Sequence, residues 1–282
     1  PSAHVLLVSV DGHVDICLGP VALHTGYFGD FRLLPIEEDS FVLQFPDHGV
    51  RTVKRNELHQ PKLYQTHKEA KHWSRLVGVS HVAELNRAAV TRRIKEVIKI
   101  SEGLHEKKIS DIADLINGDK ERKLVFIAGP SSSGKTTFAK RLSIQLKVLG
   151  IEPISISLDN YYVDREKTPL DELGKWDFEA LEAIDLERFN ADLRKIVDGQ
   201  EVLTPVYDFN TGVRAKKDKW IPVKLGENGL VIIEGIHGLN DALTPVISAN
   251  EKFKIYINAL NPLAIDDHNR LNTSDMRLIR RI

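Results

Sequence analysis

The residues best suited to chemistry lie near the middle of the chain, in a loop bounded by two glycines. The run Gly129-Pro-Ser-Ser-Ser-Gly-Lys-Thr136 matches the pattern G-x-x-x-x-G-K-[ST] at every fixed position. Glycines let a backbone turn tightly and approach phosphate oxygens, and the N-terminus of a following helix attracts anions. Such a loop would bind a nucleoside triphosphate, with Lys135 on the β- and γ-phosphates and the Thr136 hydroxyl on Mg²⁺.

The sequence around this loop has the context that the pattern requires. An apolar run over 124–128 predicts a buried strand before it, and apolar positions from Phe138 to Leu149 predict a helix that ends near Gly150. The pattern indicates nucleotide binding but does not by itself distinguish a kinase from a GTPase or a motor. The predicted nucleotide-binding residues are Gly129, Pro130, Ser131, Ser132, Ser133, Gly134, Lys135, Thr136 and Thr137.

Two carboxylates follow predicted strands farther along the chain. Asp159 comes directly after the strand predicted over 154–158, and Glu234 ends the apolar run that starts at Leu230. Because open α/β sheets bind ligands outside the carboxyl ends of their strands, Asp159 is expected at the ligand-binding edge.

Composition restricts the class of protein. The 282 residues carry 39 basic and 40 acidic side chains, so nothing indicates an electrostatic grip on DNA or a membrane. Cys17 is the one cysteine, which excludes an internal disulfide and favours a cytoplasmic location. No apolar run approaches the ~18 residues of a membrane span, and no signal peptide is visible. Because the chain starts just before a strand and stops inside a helical pattern, we expect it to be a fragment.

The first part of the chain is predicted to be β-rich. Apolar runs over 5–10 and 13–18 flank Asp11-Gly12, which is typical of a two-residue hairpin. Further strands are expected over 31–35 and 40–45, separated by an acidic turn at 37–39, and a helix is expected over 57–74.

The remainder divides into a helical segment and an α/β pattern. A 3.6-residue apolar period predicts one helix through 82–98 and a second over 109–116, which ends at Asn117-Gly118. We predict a smaller α+β domain over 1–81, a helical connector over 82–118 and an α/β domain over 119–282. In the last, further strands are expected over 202–209, 220–225, 230–234 and 253–258, and helices over 186–197 and from Met276 onward.

The histidines of the first part do not have the spacing of a metal site. His67 and His72 are five positions apart, whereas two ligands on one helix face are four apart, and no cysteine lies near them. Solvated or capping histidines are the simpler interpretation.

The order of motifs from residue 124 onward resembles the uridine kinase and phosphoribulokinase family of P-loop kinases. The resemblance rests on the glycine loop and on the runs over 157–162, 175–185, 205–214, 233–239 and 275–281. It implies an α/β fold with a P-loop NTPase-type parallel sheet and flanking helices, preceded here by the smaller α+β domain.

The resemblance also implies a role for individual residues. Asp159 matches the catalytic base, Glu234 the carboxylate that supports Mg²⁺ through water, and Arg277 and Arg280 the lid arginines that neutralise phosphate charge. With Lys135 they form the predicted catalytic and metal-binding set. The predicted acceptor-binding residues are Tyr162, Glu179, Tyr207 and Arg214.

Two departures concern the phosphate acceptor. Where the family has an Asp-His-Pro-Asp-like run, this chain has Glu179-Ala-Leu-Glu182, so the acid is one methylene longer and the His and Pro are absent. The family's base-contacting His falls at Gly212. A pocket that loses a hydrogen-bond donor loses discrimination between acceptors.

The first part of the chain resembles, more weakly, the second additional domain of threonyl-tRNA synthetases. The matching residues are Gly19-Pro20, Thr25-Gly26, Phe28 and Asp30. That domain edits mischarged tRNA with an HxxxH pair and a later Cys and His, which this sequence does not contain. We therefore expect scaffolding or regulation here, without zinc and without tRNA contact.

Together these patterns predict a kinase that uses ATP and Mg²⁺ to phosphorylate a hydroxyl of a small molecule, foremost a nucleoside such as uridine or cytidine. One alternative is a sugar-phosphate or nucleoside-monophosphate kinase of the same fold. Another is a nucleotide-responsive RNA-binding or regulatory protein, which would not need a base at Asp159. The sequence leaves the oligomeric state open.

Overall fold

The chain forms two compact units, Pro1–Glu69 and Ala70–Ile282. The computed structural model describes residues 7–17, 21–22, 24–27, 29–37, 40–53, 61–119, 121–261, 263–266 and 269–281. The predicted domain limits after residues 81 and 118 stay a prediction. In the described parts of the chain, no helix has the length and hydropathy needed to cross a membrane.

The strands described in the first unit form two antiparallel hairpins. Strand β1 (Leu7–Val10) pairs with β2 (His13–Ile16), and β3 (Arg32–Glu37) pairs with β4 (Ser40–Gln44). Asp11 and Gly12 have φ angles of 50° and 81°, so the predicted two-residue hairpin is confirmed. Gly19, Pro20, Phe28 and most of the acidic turn lie outside the described residues.

Three helices follow, and their limits differ from the predicted ones. They are α1 (Pro61–Val77), α2 (Val82–Val90) and α3 (Ile94–Asn117). The helix expected through 82–98 is wrong, because Arg92 adopts a φ of 63° and interrupts it. The helix expected over 109–116 is the last part of α3, which continues through Gly103 without a break.

A four-stranded parallel sheet forms the centre of the second unit. Its order is β12 (Lys252–Tyr256), β5 (Leu124–Ala128), β11 (Gly229–Glu234) and β6 (Glu152–Ser157). All five residues of β5 are buried, as expected for a strand covered on both faces.

Helices cover both faces of this sheet. On one face, Val125 and Ile127 pack with α3 and with α4 (Lys135–Val148). On the other, Leu124 and Phe126 pack with α5 (Leu186–Val197). The alternation along β5 follows the two-residue period of a strand, and each buried large aliphatic or aromatic side chain stabilises the fold by ~1.5–3 kcal/mol. This arrangement confirms the predicted α/β fold class.

Short elements surround the carboxyl edge of the sheet. Strand β7 (Val202–Thr204) pairs with β10 (Ile221–Val223), and β8 (Tyr207–Asp208) pairs with β9 (Val213–Arg214). The last helix is α6 (Thr273–Ile279). Strand 202–209 was predicted as one element, but the chain leaves the pairing with β10 after Thr204.

Candidate functional site

The glycine loop leaves the centre of the sheet directly from β5. Ser132 and Gly134 adopt φ angles of 61° and 96°, which turn the chain into the start of α4. At Gly129 an added Cβ would lie 2.0 Å from the carbonyl oxygen of Ile257, so only glycine fits there. The side chain of Ser133 is buried, and its hydroxyl has no hydrogen-bond partner in the described structure. The loop therefore has the backbone geometry and an unused hydroxyl that suit a phosphate group.

Lys135, in the first turn of α4, extends back over the loop. Its Nζ donates to the carbonyl oxygens of Gly129 at 2.9 Å and Pro130 at 3.3 Å. The ammonium is thus held beside the N–H groups that would face a phosphate. Thr137, next in the same turn, is exposed.

Thr136 and Glu234, the predicted metal-binding pair, are in contact. The Thr136 hydroxyl lies 2.8 and 3.0 Å from the two carboxylate oxygens of Glu234. Hard oxygen atoms of this kind suit Mg²⁺, which keeps several waters and takes only one or two protein ligands. In the described part of the chain no group of three or more His, Cys, Asp and Glu side chains is arranged to hold a metal. The pair therefore fits a magnesium ion whose other ligands are phosphates and water.

Asp159 lies at the same edge, in the turn Leu158–Tyr161 that follows β6. Its backbone N–H is 3.4 Å from the hydroxyl of Ser157, which caps the turn. Burial raises the pKa of the Asp159 carboxyl, and the positive charge of Lys135 opposes that rise. A carboxyl with a raised pKa beside the loop lysine is suited to accept a proton.

Helix α6 brings arginines to the loop. Arg277 donates from Nε to the carbonyl oxygen of Ser131 at 2.9 Å. The guanidinium of Arg280 lies against Gly134, where an added Cβ would be 2.8 Å from Nη2. Arg281 reaches the Ser131 hydroxyl at 3.5 Å, the outer limit of a hydrogen bond. These cations meet where phosphate charge would be held.

A cavity of about 320 Å³ adjoins the start of the loop. Glu179 and Arg277 both line it, together with the loop residues Gly129 and Ser131. Glu179 is exposed, so its carboxylate is available to a ligand in this cavity.

Four aromatic rings gather beside Asp159. Tyr162 lies within 5.7–6.3 Å of Phe178, Tyr207 and Phe209, and the rings of Tyr207 and Phe209 are 5.0 Å apart. Burial raises the pKa of Tyr162 to about 12, and the charges of Asp159 and Glu179 add to the rise. The Tyr207 hydroxyl is buried without a hydrogen-bond partner among the described residues. We call these four residues the aromatic cluster.

Arg214 is tied to the protein more firmly than the sequence predicted. It pairs with Asp185 at 2.8 Å and donates to the carbonyl oxygens of Tyr161 and Tyr162. Burial alone would raise the pKa of Asp185, but the backbone N–H of Arg188 and the Arg214 guanidinium lower it. Arg214 therefore holds the turn after β6 in position.

Sequence reasoning missed three residues at this site. Arg281 is four positions from Arg277, and that helical spacing could have indicated it. Asn160 accepts a hydrogen bond from the Tyr207 backbone at 3.2 Å and so links the Asp159 turn to the aromatic cluster. Arg165 lies beside Gly212, and no pattern in the sequence indicates this.

Comparison with known proteins gives the family. The model of the family described as "Phosphoribulokinase / Uridine kinase family" matches residues 124–269, more than half of the chain. A uridine kinase of Mycoplasma genitalium is 31% identical over 164 residues, which cover 58% of this chain and 67% of that protein. One of Ligilactobacillus salivarius is 27% identical over 168 residues, covering 60% and 68%.

Two further similar proteins match a smaller share of this chain. A uridine kinase of Leuconostoc citreum is 29% identical over 119 residues, and the chain spans 55% of its length. A solved structure, described as a possible uridine kinase from Bacillus stearothermophilus, is 27% identical with a TM-score of 0.44 and covers 53% of this chain and 79% of its own. The family match begins at residue 124 and does not cover the first unit, whose resemblance to a synthetase domain stays a prediction. On the extent of its family match, the chain belongs to the phosphoribulokinase / uridine kinase family.

Proposed function

We propose that the chain is a kinase that uses ATP and Mg²⁺ to phosphorylate a hydroxyl of a small molecule, foremost a nucleoside such as uridine or cytidine. Family membership supports phosphoryl transfer, and the uridine kinases among its relatives support a nucleoside acceptor. The observation that carries the proposal is the place of Asp159, in the turn after β6 at the ligand-binding edge, with a pKa that desolvation raises and the charge of Lys135 lowers.

The residues around Asp159 have complementary tasks in this proposal. ATP would supply the γ-phosphate, with Mg²⁺ offsetting the charge on its oxygens. Lys135 and the loop N–H groups hold the phosphates, and Thr136 with Glu234 holds the metal. Arg277 and Arg280 lie at the loop to neutralise charge as the phosphoryl group moves. Asp159 accepts the proton of the attacking hydroxyl.

The aromatic cluster supports a nucleoside as the acceptor. Base–aromatic stacking contributes ~1–3 kcal/mol per base, and a nucleobase is flat enough to lie against such rings. Glu179, at the loop cavity, would accept hydrogen bonds from sugar hydroxyls. A sugar phosphate or a nucleoside monophosphate remains the alternative acceptor. The reason is Gly212, which has no side-chain donor where a uridine-type pocket would have one.

A regulatory protein that binds nucleotide and RNA is the second candidate. The β-rich first unit favours it, since its resemblance is to a domain that acts on tRNA. Such a protein would need the loop but no proton acceptor at the end of β6.

The decisive experiment is Asp159→Asn, with Asp198→Asn at the exposed end of α5 as the matched control. Asn keeps the size of Asp159 but cannot take a proton. Turnover with the best acceptor from a panel of nucleosides, nucleotides and sugar phosphates should fall by ~10²–10⁴-fold. ATP affinity, measured by calorimetry, should persist, because the phosphates are held by the loop.

Other outcomes have distinct meanings. Unchanged turnover would make Asp159 a structural turn residue and favour the regulatory candidate. Loss of ATP affinity would move Asp159 to the metal site. A change of the same size in Asp198→Asn would trace the loss to folding.

A further inference from the structure

The hairpin formed by β8 and β9, which carries Tyr207 and Phe209, has a glycine at position 212 and so no side chain there. Gly212 is buried, has a φ of 73° and donates its N–H to the carbonyl oxygen of Asp208 at 2.7 Å. Any other residue would be strained by this φ angle. The hairpin therefore cannot itself present a side-chain donor from residue 212 at low cost.

The side chain of Arg165 lies in the space beside Gly212. A Cβ added to Gly212 would be 2.6 Å from both Nε and Cζ of Arg165. The backbone N–H of Arg165 donates to the Gly212 carbonyl oxygen at 2.8 Å, and its Nη2 donates to the Phe209 carbonyl oxygen at 3.0 Å. The guanidinium is thus fixed from both ends to the hairpin that carries Tyr207 and Phe209.

Most of the hydrogen-bonding capacity of Arg165 is unused. A guanidinium has five N–H donors, and one bond to Phe209 is described for it. Within the described residues Arg165 forms no ion pair, and its guanidinium lies 5.8 Å from the ring of Trp176. The remaining N–H groups of this half-buried cation are therefore available to a ligand at the border of the aromatic cluster.

A second unused donor belongs to the same hairpin. Burial raises the pKa of Tyr207, and the charge of Arg165 acts against that rise. The Tyr207 hydroxyl is itself buried without a partner in the described structure. The hairpin of β8 and β9 therefore carries one unused donor at Tyr207 and holds a second, the Arg165 guanidinium, through the carbonyl oxygen of Phe209.

We propose that Arg165 recognises the ring oxygens of a planar acceptor, supplying the donor that Gly212 cannot. This inference rests on the proposed function and makes it more specific. A pyrimidine ring with carbonyl oxygens would stack against the aromatic cluster and accept hydrogen bonds from Arg165 and Tyr207 in its own plane. A sugar phosphate would gain nothing from four aromatic rings, so the arrangement favours a pyrimidine nucleoside.

The test compares Arg165→Ala and Arg165→Lys with Lys195→Ala, which removes an exposed cation from α5. Because a hydrogen bond to a charged group is involved, we expect the KM for uridine in Arg165→Ala to rise ~10–100-fold. The kcat should change little, and ATP affinity should stay at the wild-type value. Lysine keeps the charge but not the planar fork, so Arg165→Lys should restore only part of the affinity.

A second measurement separates recognition from a merely structural role. Wild-type protein should bind uridine more tightly than analogues lacking the 2- or the 4-carbonyl oxygen, as measured by calorimetry. Arg165→Ala should lose that preference for at least one of the two. Melting curves of both variants report whether they remain folded. If Arg165→Ala is unfolded, Arg165→Lys provides the test.

Each result has a separate consequence. An unchanged KM for uridine and an unchanged preference between analogues would overturn the role of Arg165 and leave the kinase proposal standing. Loss of affinity for sugar phosphates in place of uridine would overturn the planar acceptor. If wild-type protein binds no nucleoside, the inference and the nucleoside acceptor both fall, while Asp159→Asn still tests phosphoryl transfer with another acceptor.

Discussion

Lys135 contacts only loop carbonyl oxygens in the described structure, and a phosphate is a stronger partner for an ammonium than a carbonyl. We expect Lys135→Ala to abolish nucleotide-dependent turnover. The fold should be retained, because the side chain lies at the surface of the loop and packs into neither core cluster. Turnover and thermal melting measured on the same preparation check this. Full turnover would refute the phosphate-binding role, and an unfolded variant would leave the activity loss without meaning for catalysis.

The raised pKa of Asp159 predicts the pH dependence of turnover. A base must be ionised to accept a proton, so turnover should decline as the pH falls through a value above the ~3.9 of an ordinary aspartate. A pH–rate profile of kcat/KM with saturating ATP measures the value. A decline centred at or below the ordinary value would contradict the raised pKa of this carboxyl.

The same shift predicts an effect on stability. The folded chain holds the Asp159 proton more tightly than the unfolded chain, so ionisation destabilises the fold as pH rises through the interval between the two pKa values. Asp159→Asn should therefore melt at a higher temperature than wild type near neutral pH. The difference should shrink as the pH falls toward 4, and a constant difference would point to packing instead.

For individual residues, the sequence indicates which side chains belong to the site better than it indicates which contacts they make. The phosphate loop, Thr136 and Glu234 carry patterns with a physical reason, and the structure brings the last two together. Arg165 could not be predicted, because its role depends on a hairpin folding back over Gly212. Arg214 was expected at the acceptor, but its pairing with Asp185 depends on a distant helix start.

Among the secondary-structure elements, the junction of β5 with its loop is the tightest. Gly129→Ala would bring a Cβ to 2.0 Å from the backbone oxygen of Ile257, which follows β12 and cannot move alone. We expect the free energy of unfolding to fall by ~1–3 kcal/mol and ATP affinity to be lost. Denaturant unfolding and calorimetry measure the two effects.

Gly103 in α3 is the matched control, because an added Cβ there meets no atom within 4 Å. Gly103→Ala should raise the free energy of unfolding by ~0.5–1 kcal/mol through helix propensity. ATP affinity should not change. Equal effects of the two substitutions would contradict the close approach at Gly129.

The limits of helices and strands can be predicted where a continuous apolar run or a capping residue marks them. They are harder to predict elsewhere. The limits of β5 and α5 agree with the predicted 124–128 and 186–197, because a continuous apolar run and an Asp185 cap mark them. The break between α2 and α3 depends on the φ angle of Arg92, a residue type that does not announce a turn. The sequence predicts a separate helix over 109–116, whereas α3 runs without a break from Ile94 to Asn117, and its residues from Ile109 onward pack on α4.

In the second unit, hydrogen bonds connect segments that lie far apart in sequence. The loop preceding α6 bonds to the junction of α1 and α2: Val82 donates to the carbonyl oxygen of Ala264, and Ala264 to that of Ser80, each at 2.9 Å. Helix α6 has no buried residue, and its contacts include the bond from Arg277 to the phosphate loop and the one from Asn261 to Met276. The sequence predicts domain limits after residues 81 and 118, but it could not predict these contacts. They join residues that are far apart in the chain.

This arrangement predicts that nucleotide binding affects amides far from the loop. Phosphates should form charge-assisted hydrogen bonds with Arg277 and Arg280, and so hold α6 more firmly than carbonyls do. Hydrogen exchange at the amides of α6, Ala264 and Val82 should therefore slow by about tenfold or more with a non-hydrolysable ATP analogue. Lys135→Ala should show no such change, and the β3–β4 hairpin serves as an internal reference. If the analogue protects the phosphate loop and leaves the amides of α6 unchanged, α6 is not held through its arginines, and their role in neutralising phosphate charge is wrong.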